Sequence, residues 1–177
     1  MKAVILGLGE SLHLHKKQKS DFVIGCNNIY EHVKEIDAIA CVDKYSRVSV
    51  ERPSIFNTPD HVYKYVRDRE WVGKMPNVRV IDSVKSPTVL YKNTPISHGY
   101  TCPYYATVLA MYLQFDEIEI FGVDHSGPHP LANDYSRKRS ALEFARLIKF
   151  AENENIKISF NKACMLEPLV DQLLNTI

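Results

Sequence analysis

The stretch Thr101–Asp124, TCPYYATVLAMYLQFDEIEIFGVD, decides the fold class of this 177-residue chain. A hydroxyl residue two positions before a proline, followed by an apolar segment, is a typical start of a helix. We therefore predict a helix over Pro103–Gln114 and a buried strand over Glu117–Phe121, with Asp124 just beyond the carboxyl end of that strand. Open α/β sheets build ligand sites at such strand ends and at helix amino termini. The stretch thus predicts both a fold and the place of a site.

Short apolar runs alternate with longer segments of helical periodicity along the rest of the chain. This alternation predicts an α/β fold with a mainly parallel sheet of six or seven strands and helices on both faces. We expect a single Rossmann-like nucleotide-binding domain over residues 1–177, since this length suits one substantial core. The expected strands are Ala3–Leu6, Phe22–Gly25, Ala38–Val42, Ser54–Phe56, Val78–Ile81, Glu117–Phe121 and Ile156–Phe160.

The remaining segments are interpreted as helices and loops. Tyr135–Asn153 is the second clear helix, and weaker helices are expected to begin near Ser11, Asn28, Lys44 and Asp60. Residues 82–100 hold Pro87 and Pro95 among several small polar residues, and we expect a loop or lid there. Residues 125–134 are expected to form a short active-site loop.

Composition and charge narrow the classes of function. A net charge of +1 provides no basic field for holding a nucleic acid, so nucleic acid binding is disfavoured. The first residues, MKAVILGLG, are apolar over too short a run for a signal peptide or a membrane span. Four scattered cysteines without a CxxC pair favour reduced thiols. We expect a cytoplasmic protein without a membrane span, and the sequence is compatible with a homo-oligomer.

Polar residues follow four of the predicted strands and mark one helix start. Two glycines after the first strand permit a tight turn whose amides suit a phosphate, and carboxamides and carboxylates at neighbouring strand ends can bind ribose or a base. Each piece also has a purely structural interpretation, as a plain turn or as a helix cap. Their convergence on one edge of the sheet favours a nucleotide site formed by Gly7, Gly9, Ser11, Asn27, Asn28, Asp43, Thr101, Cys102 and Asp124.

Histidines are the candidates for acid and base chemistry, because their pKa lies near neutrality. His125 follows Asp124 directly, His129 lies four residues further along the same loop, and the two are the predicted catalytic residues. The spacings of His13 with His15, and of His125 with His129, suit a metal poorly, so no metal site is predicted. A GxSxG elbow and a GxxxxGK[ST] phosphate loop are both absent from the sequence.

The order of these motifs resembles the bacterial lipooligosaccharide sialyltransferases. The resemblance is carried by GLGESL at Gly7–Leu12, GCNNIY at Gly25–Tyr30, FDEIEIFGVD at Phe115–Asp124 and ALEF at Ala141–Phe144. The chain is also similar to the flagellin-modifying motility accessory factors and to the archaeal hydroxymethylpterin diphosphokinases. The resemblance spans most of the chain as short motifs separated by dissimilar stretches.

The resemblance assigns roles to the candidate residues. It implies that Gly7, Gly9 and Ser11 form the turn beside the nucleotide and that Asn27 faces the nucleotide. Asp43 falls at the end of the third strand, where the sialyltransferases have Asn and the wider set often has Asp. Thr101 falls at the start of the family's Thr-Ser-Gly helix, and Asp124 falls on its Gly-Ile-Asp aspartate.

The sequence departs from the family pattern at three places. Leu8 replaces an Asn in the glycine turn, and Cys102-Pro103 replaces Ser-Gly. Only sixteen residues separate Asp124 from Ala141, where the sialyltransferases carry a long lid with tyrosines and a histidine base. His125, His129 and Tyr135 are the residues available here as substitutes. A short lid would leave the site wetter and less able to suppress hydrolysis of an activated sugar.

The resemblance implies a glycosyltransferase that moves a sugar from a CMP-activated donor to a glycan acceptor without a metal cofactor. Its partners would be a nucleotide or nucleotide-sugar and a glycan. An alternative is a nucleotide-dependent diphosphokinase acting on a small hydroxymethyl compound, with Asp43 and Asp124 holding Mg²⁺. A third hypothesis is a non-catalytic nucleotide-binding module.

Overall fold

The computed structural model describes residues 1–86, 88–99, 101–124, 134–161, 164 and 166–176. Nine strands lie in this part of the chain: β1 Lys2–Leu6, β2 Phe22–Cys26, β3 Ala38–Cys41, β4 Tyr63–Val66, β5 Val78–Val80, β6 Ser83–Val84, β7 Ile96–Ser97, β8 Glu117–Phe121 and β9 Lys157–Phe160. The α-helices are α1 Tyr45–Glu51, α2 Cys102–Tyr112, α3 Asp134–Asn153 and α4 Glu167–Leu174. Short 3-10 helices cover Glu10–Leu14, Ile29–Glu31, Pro53–Asn57 and Arg69–Trp71.

Seven strands form one parallel sheet in the order β5-β4-β3-β2-β1-β8-β9. From β1 the chain builds outward through β2 to β5, and it then returns to place β8 on the other side of β1. The boundary between β1 and β8 is therefore the switch point of the sheet, where open α/β folds bind ligands. The predicted α/β fold with a parallel sheet is confirmed.

The strands alternate between two apolar layers, because successive side chains of a strand point to opposite faces. One layer holds Ile5, Ile24 and Ile120 beneath α2, α3 and α4. The other holds Leu6, Val23 and Phe121 beneath α1 and the 3-10 helices. Helix α2 packs against β1, β2 and β3, and nearly all of its residues are buried. This position explains why its sequence is apolar all round rather than on a single stripe.

Several sequence predictions differ from the structure. The segment Ser54–Phe56 is a 3-10 helix instead of a strand, and the real fourth strand, β4, lies where a helix was expected near Asp60. The sequence YKYV alternates exposed and buried residues, and its buried Lys64 hides the apolar pattern. The helices expected near Ser11 and Asn28 are single 3-10 turns, and α4 was not predicted.

The loop predicted over residues 82–100 holds two short strands, β6 and β7, which pair in parallel. Ser97 also bonds to two residues that lie between these strands. Its hydroxyl accepts from the Leu90 amide at 2.8 Å and donates to the Thr88 carbonyl at 3.0 Å. Its role as a lid stays a prediction. Among the described residues, none of the helices is both long and apolar enough to cross a membrane.

The β1 and β8 strand ends are joined by a close backbone contact. The Gly7 amide donates to the Phe121 carbonyl at 2.8 Å, and the Gly9 amide donates to the Gly122 carbonyl at 2.7 Å. A Cβ on Gly7 would lie 2.2 Å from the carbonyl oxygen of Gly122. Gly122 itself has a φ of +68°, in the left-handed region that favours glycine. The two glycines therefore allow the first turn to lie against the end of β8.

We expect Gly7→Ala to lower the free energy of unfolding by about 2–4 kcal/mol, because the new methyl group meets backbone that cannot move aside. Urea denaturation of the purified variant measures this loss. Gly73→Ala is the control, since a Cβ there has no neighbour within 4 Å and only its φ of +74° costs energy, about 1 kcal/mol. Equal losses in the two variants would contradict the close contact.

Candidate functional site

Asp124 and Ser11 form a buried hydrogen-bonded pair at the switch point. Asp124 is 1% exposed, and its Oδ2 accepts from the Ser11 amide at 2.7 Å. The Ser11 hydroxyl lies 3.0 Å from both carboxylate oxygens and accepts from the Gly122 amide at 2.8 Å. The Ser11 hydroxyl donates its hydrogen to the carboxylate, because carboxylate oxygens accept, and one of its lone pairs accepts from the Gly122 amide. The pair therefore fixes the glycine turn to the end of β8.

The glycine turn directs most of its amides into the protein. The amides of Gly7 and Gly9 donate to β8 and to Gly122, and the Ser11 amide donates to Asp124. A Cβ on Gly9 would lie 2.4 Å from Asp124 Oδ2, so Gly9 allows the carboxylate to approach the turn. These three residues shape the junction, and their direct contact with a phosphate stays a prediction.

The start of α2 is capped as the sequence predicted. Thr101 has extended backbone, and its hydroxyl accepts from the Tyr104 amide at 3.3 Å. Cys102 occupies the first helical position and donates its thiol hydrogen to Asn27 Oδ1 at 3.1 Å. Asn27 has a φ of +54°, which asparagine tolerates better than most residues. The thiol therefore holds the Asn27 carboxamide beside the positive end of the α2 dipole.

Three thiols meet beneath this corner: Cys26, Cys41 and Cys102 are all buried and free. A hydrogen bond between Cys41 and Cys102 lowers the pKa of Cys102 and raises that of Cys41, while the Val42 amide also lowers the pKa of Cys102. Burial raises the pKa of Cys26. Sequence reasoning named Cys102 for its place at the helix start and missed the other two thiols. The sequence indicates the other two thiols only by their positions: Cys26 directly precedes Asn27, and Cys41 is the last residue of β3.

Asp43 and Asn28 occupy the same edge but have local partners. Asp43 pairs with Arg52 and, at 3.4 Å, with Arg47. Asn28 donates to Glu31 at 3.1 Å and precedes the 3-10 helix Ile29–Glu31 without a side-chain cap, which was its structural alternative. The structure thus brings Asp43 to the rim already neutralised by arginines. Within the described ranges, no group of three His, Cys, Asp or Glu residues is arranged to hold a metal.

The predicted catalytic residues His125 and His129 lie outside the described residues, and their role stays a prediction. Tyr135, the third substitute for the family's lid residues, is 71% exposed in the first turn of α3. His13 contacts the Glu10 carbonyl, and His15 packs edge-on against Phe121. Burial lowers the pKa of His15, which favours its neutral form. These two histidines lie on the 3-10 side of the sheet, away from α2.

The helical pattern of Tyr135–Asn153 predicts that Glu143, part of the ALEF motif, faces water, but its side chain is only 16% exposed. A Cβ built on Gly99 would lie 3.1 Å from Glu143 Oε2. Because Gly99 lies just before α2, the carboxylate is close to the start of this helix. Burial raises the pKa of Glu143 to about 7, and the neighbouring Arg139, Lys85 and Arg146 oppose the shift. The chain thus places a carboxyl that titrates near neutrality close to the candidate site.

A polar groove of about 950 Å³ opens between the two 3-10 helices that follow β1 and β2. It meets the glycine turn at Leu8 and Gly9 and continues between charged side chains, among them His13, Lys16 and Lys34. This groove lies on the opposite side of the turn from the start of α2. It therefore offers an alternative place for a ligand.

Comparison with known proteins gives a likeness in structure alone. No protein-family model matches the sequence, and no curated protein does. The sialyltransferase CstII from Campylobacter jejuni, in complex with the substrate analogue CMP-3FNeuAc, is similar with a TM-score of 0.55 and 15% identity over 96% of this chain and 83% of that one. The sialyltransferase CST-II with a trisaccharide acceptor and CMP gives 0.59 and 15% over 97% and 84%. At this identity the comparison shows a shared fold.

We expect Ser11→Ala to destabilise the protein by about 2–3 kcal/mol, since it removes a donor to a buried carboxylate and the acceptor of the Gly122 amide. Chemical denaturation measures the change. Ser49→Ala, whose hydroxyl bonds only within α1, should stay within about 0.5 kcal/mol of wild type. Losses from Ser11→Ala and Asp124→Asn should fall short of additive in the double variant, and full additivity would show that the two side chains do not interact.

Proposed function

We propose that this chain is a glycosyltransferase that moves a sugar from a CMP-activated donor to a glycan acceptor. One observation supports the proposal most strongly: the Cys102 thiol holds the Asn27 carboxamide at the amino terminus of α2, beside the β1–β8 switch point. This corner combines a hydrogen-bonding group with a positive dipole end. The shared fold with sialyltransferases whose structures contain CMP adds to it.

The chemistry needs few protein groups. The bond between the sugar and the phosphate breaks, the acceptor oxygen attacks the anomeric carbon, and CMP leaves as an anion. The start of α2, at Thr101 and Cys102, would stabilise the phosphate charge that develops as this bond breaks. A general base would take the acceptor proton, and His129 or His125 is the candidate for this role. These groups provide for the reaction without a metal.

The other two hypotheses have less support. A diphosphokinase would require Asp43 and Asp124 to share a magnesium ion. Asp43 instead pairs with Arg52, and Asp124 binds Ser11. The two aspartates follow β3 and β8, which β2 and β1 separate in the sheet. A non-catalytic module is favoured only by the departures from the family pattern. The diphosphokinase differs from the main proposal in its nucleotide, and the non-catalytic module differs in lacking turnover. Measurements of nucleotide binding and of turnover therefore separate all three hypotheses.

Wild-type protein should be stabilised by CMP without magnesium, and less by UDP, GDP or ATP. At 100 times the dissociation constant, a ligand adds about 2.7 kcal/mol, a rise in Tm of about 5 °C or more. Asn27→Gly keeps the positive φ and removes the carboxamide, so we expect CMP affinity to fall about tenfold. Asn155→Gly is the matched control, because Asn155 also has a positive φ, +59°, and lies far away between α3 and β9.

The nucleotide preference decides among the three hypotheses. A magnesium-dependent preference for ATP would favour the diphosphokinase, and CMP binding without transfer or hydrolysis would favour the non-catalytic module. Equal CMP affinity in both asparagine variants would contradict the place assigned to Asn27. No shift with any nucleotide would contradict the proposal as a whole.

The histidine role predicts a separate kinetic result. Replacing the catalytic base, His129 or His125, with alanine should lower the rate of transfer by a factor of about 10²–10⁴ and leave CMP affinity nearly unchanged. Steady-state transfer assays on the two single variants, with CMP titrations beside them, measure both quantities. His61→Ala serves as a control, since His61 is exposed near the opposite end of the sheet. Full activity in both variants would exclude these histidines as the base.

A further inference from the structure

Arg67 is a cation at the carboxyl edge of the sheet that has no carboxylate partner among the described residues. It directly follows β4, and its amide donates to the Cys41 carbonyl at 3.3 Å, which places it beside the end of β3. Its Nη1 lies 3.2 Å from His98 Nε2. None of the ion pairs among the described residues includes Arg67. Its neighbour at the edge, Arg52, in contrast pairs with Asp43.

His98 presents an unpartnered donor next to this cation. The side chain is 8% exposed, and the guanidinium of Arg67 can only donate, so His98 Nε2 accepts and the hydrogen resides on Nδ1. His98 Nδ1 is buried and has no hydrogen-bond partner within the described part of the chain. Burial lowers the pKa of His98, and the two charged groups that add to this shift, Arg67 and Lys85, are both cations. The surroundings of His98 therefore have a positive potential.

Tyr105 adds a second unpartnered group. Its side chain is fully buried in the first turn of α2, where its amide donates to the Thr101 carbonyl at 3.1 Å. The Tyr105 hydroxyl has no hydrogen-bond partner in the ranges that the structure describes. Burial raises the pKa of Tyr105, and the charge of Arg67 opposes the shift. Helix α2 packs against β7, which His98 directly follows, and against β3, whose end bonds the Arg67 amide. This packing brings Tyr105 to the same part of the fold as Arg67 and His98, and the charge of Arg67 acts on both unpartnered groups.

Such a combination is unusual in a folded protein, since buried polar groups are nearly always hydrogen-bonded. A water molecule would satisfy the donors but would leave the positive charge without compensation. An oxyanion would do both, because its oxygens accept from N–H and O–H groups and its charge balances the guanidinium. Arginine is also the residue that most often binds carboxylates and phosphates.

We propose that Arg67, His98 and Tyr105 form a binding site for an oxyanion of the substrate, a carboxylate or a phosphate. The identity of the substrate depends on the proposed function. The existence of the site depends only on the positions of these three side chains. Tyr105 and Thr101 share the first turn of α2, so the site adjoins the place assigned to the nucleotide phosphate. The anion is therefore either that phosphate or a second acidic group of the substrate.

The test measures binding of small anions by calorimetry and by thermal shift. Sodium phosphate and sodium acetate, titrated at constant ionic strength with sodium chloride as balance, should each bind wild-type protein saturably. Arg67→Gln should weaken this binding at least tenfold. Arg79→Gln is the matched control, because Arg79 is an exposed arginine of β5 and should leave anion binding unchanged.

Tyr105→Phe is a second test variant that should still fold, because it removes only an unpartnered hydroxyl. We expect it to unfold at or above the wild-type temperature without anions and to bind phosphate several-fold more weakly. Absence of saturable anion binding in wild type, or unchanged binding in both Arg67→Gln and Tyr105→Phe, would overturn the inference.

A comparison of CMP with cytidine identifies the source of the anion. Weaker CMP binding in Arg67→Gln with unchanged cytidine binding would assign the site to the nucleotide phosphate. Unchanged CMP binding with loss of acetate binding would assign it to a carboxylate elsewhere in the substrate. If wild-type protein binds phosphate and acetate through Arg67 but does not bind CMP, the oxyanion site is supported and the proposed function is contradicted.

Discussion

The hydrogen bonds between Asp124 and Ser11 are the constraint on which the site depends. They connect the turn after β1 to the end of β8 across the switch point of the sheet, and Ser11 extends the connection to the Gly122 amide. A carboxylate that is 1% exposed needs these donors, because an unpaired buried charge would be strongly destabilising. Only glycine at position 9 leaves room for the carboxylate. The turn after β1 and the end of β8 are therefore one structural unit.

This constraint changes the role of the most conspicuous motif. A glycine turn after the first strand suggests phosphate binding, but here its amides mainly hold the turn against β8. The groups that remain available to a ligand lie on the α2 side, where Cys102 orients Asn27. A thiol is a weak donor, so it can hold the carboxamide in place without competing strongly for it. We therefore propose that the start of α2 takes over part of the phosphate binding expected of the glycine turn.

The sequence predicted what depends on local pattern. Uninterrupted apolar runs identified the central strands, and the threonine before Pro103 identified the start of α2. The fourth strand was missed because Lys64 is buried in YKYV and donates to the Pro59 carbonyl, a contact that no local pattern reveals. The contact of Arg67 with His98 was missed for a similar reason, since the two residues are distant in sequence and lie 3.2 Å apart only after the chain has folded. Long-range contacts of this kind have no signature in spacing or composition.

The central claim is that a nucleotide binds at the corner formed by Asn27 and the start of α2. Amide chemical shifts recorded by NMR during a CMP titration test it most directly, because each amide reports on its own surroundings. The account predicts that the largest changes fall on Asn27, Asn28, Cys102 and their sequence neighbours, with the outer strand β9 unaffected. Changes confined to the polar groove, at residues such as His13, Lys16 and Lys34, would place the ligand on the other side of the turn and contradict the account.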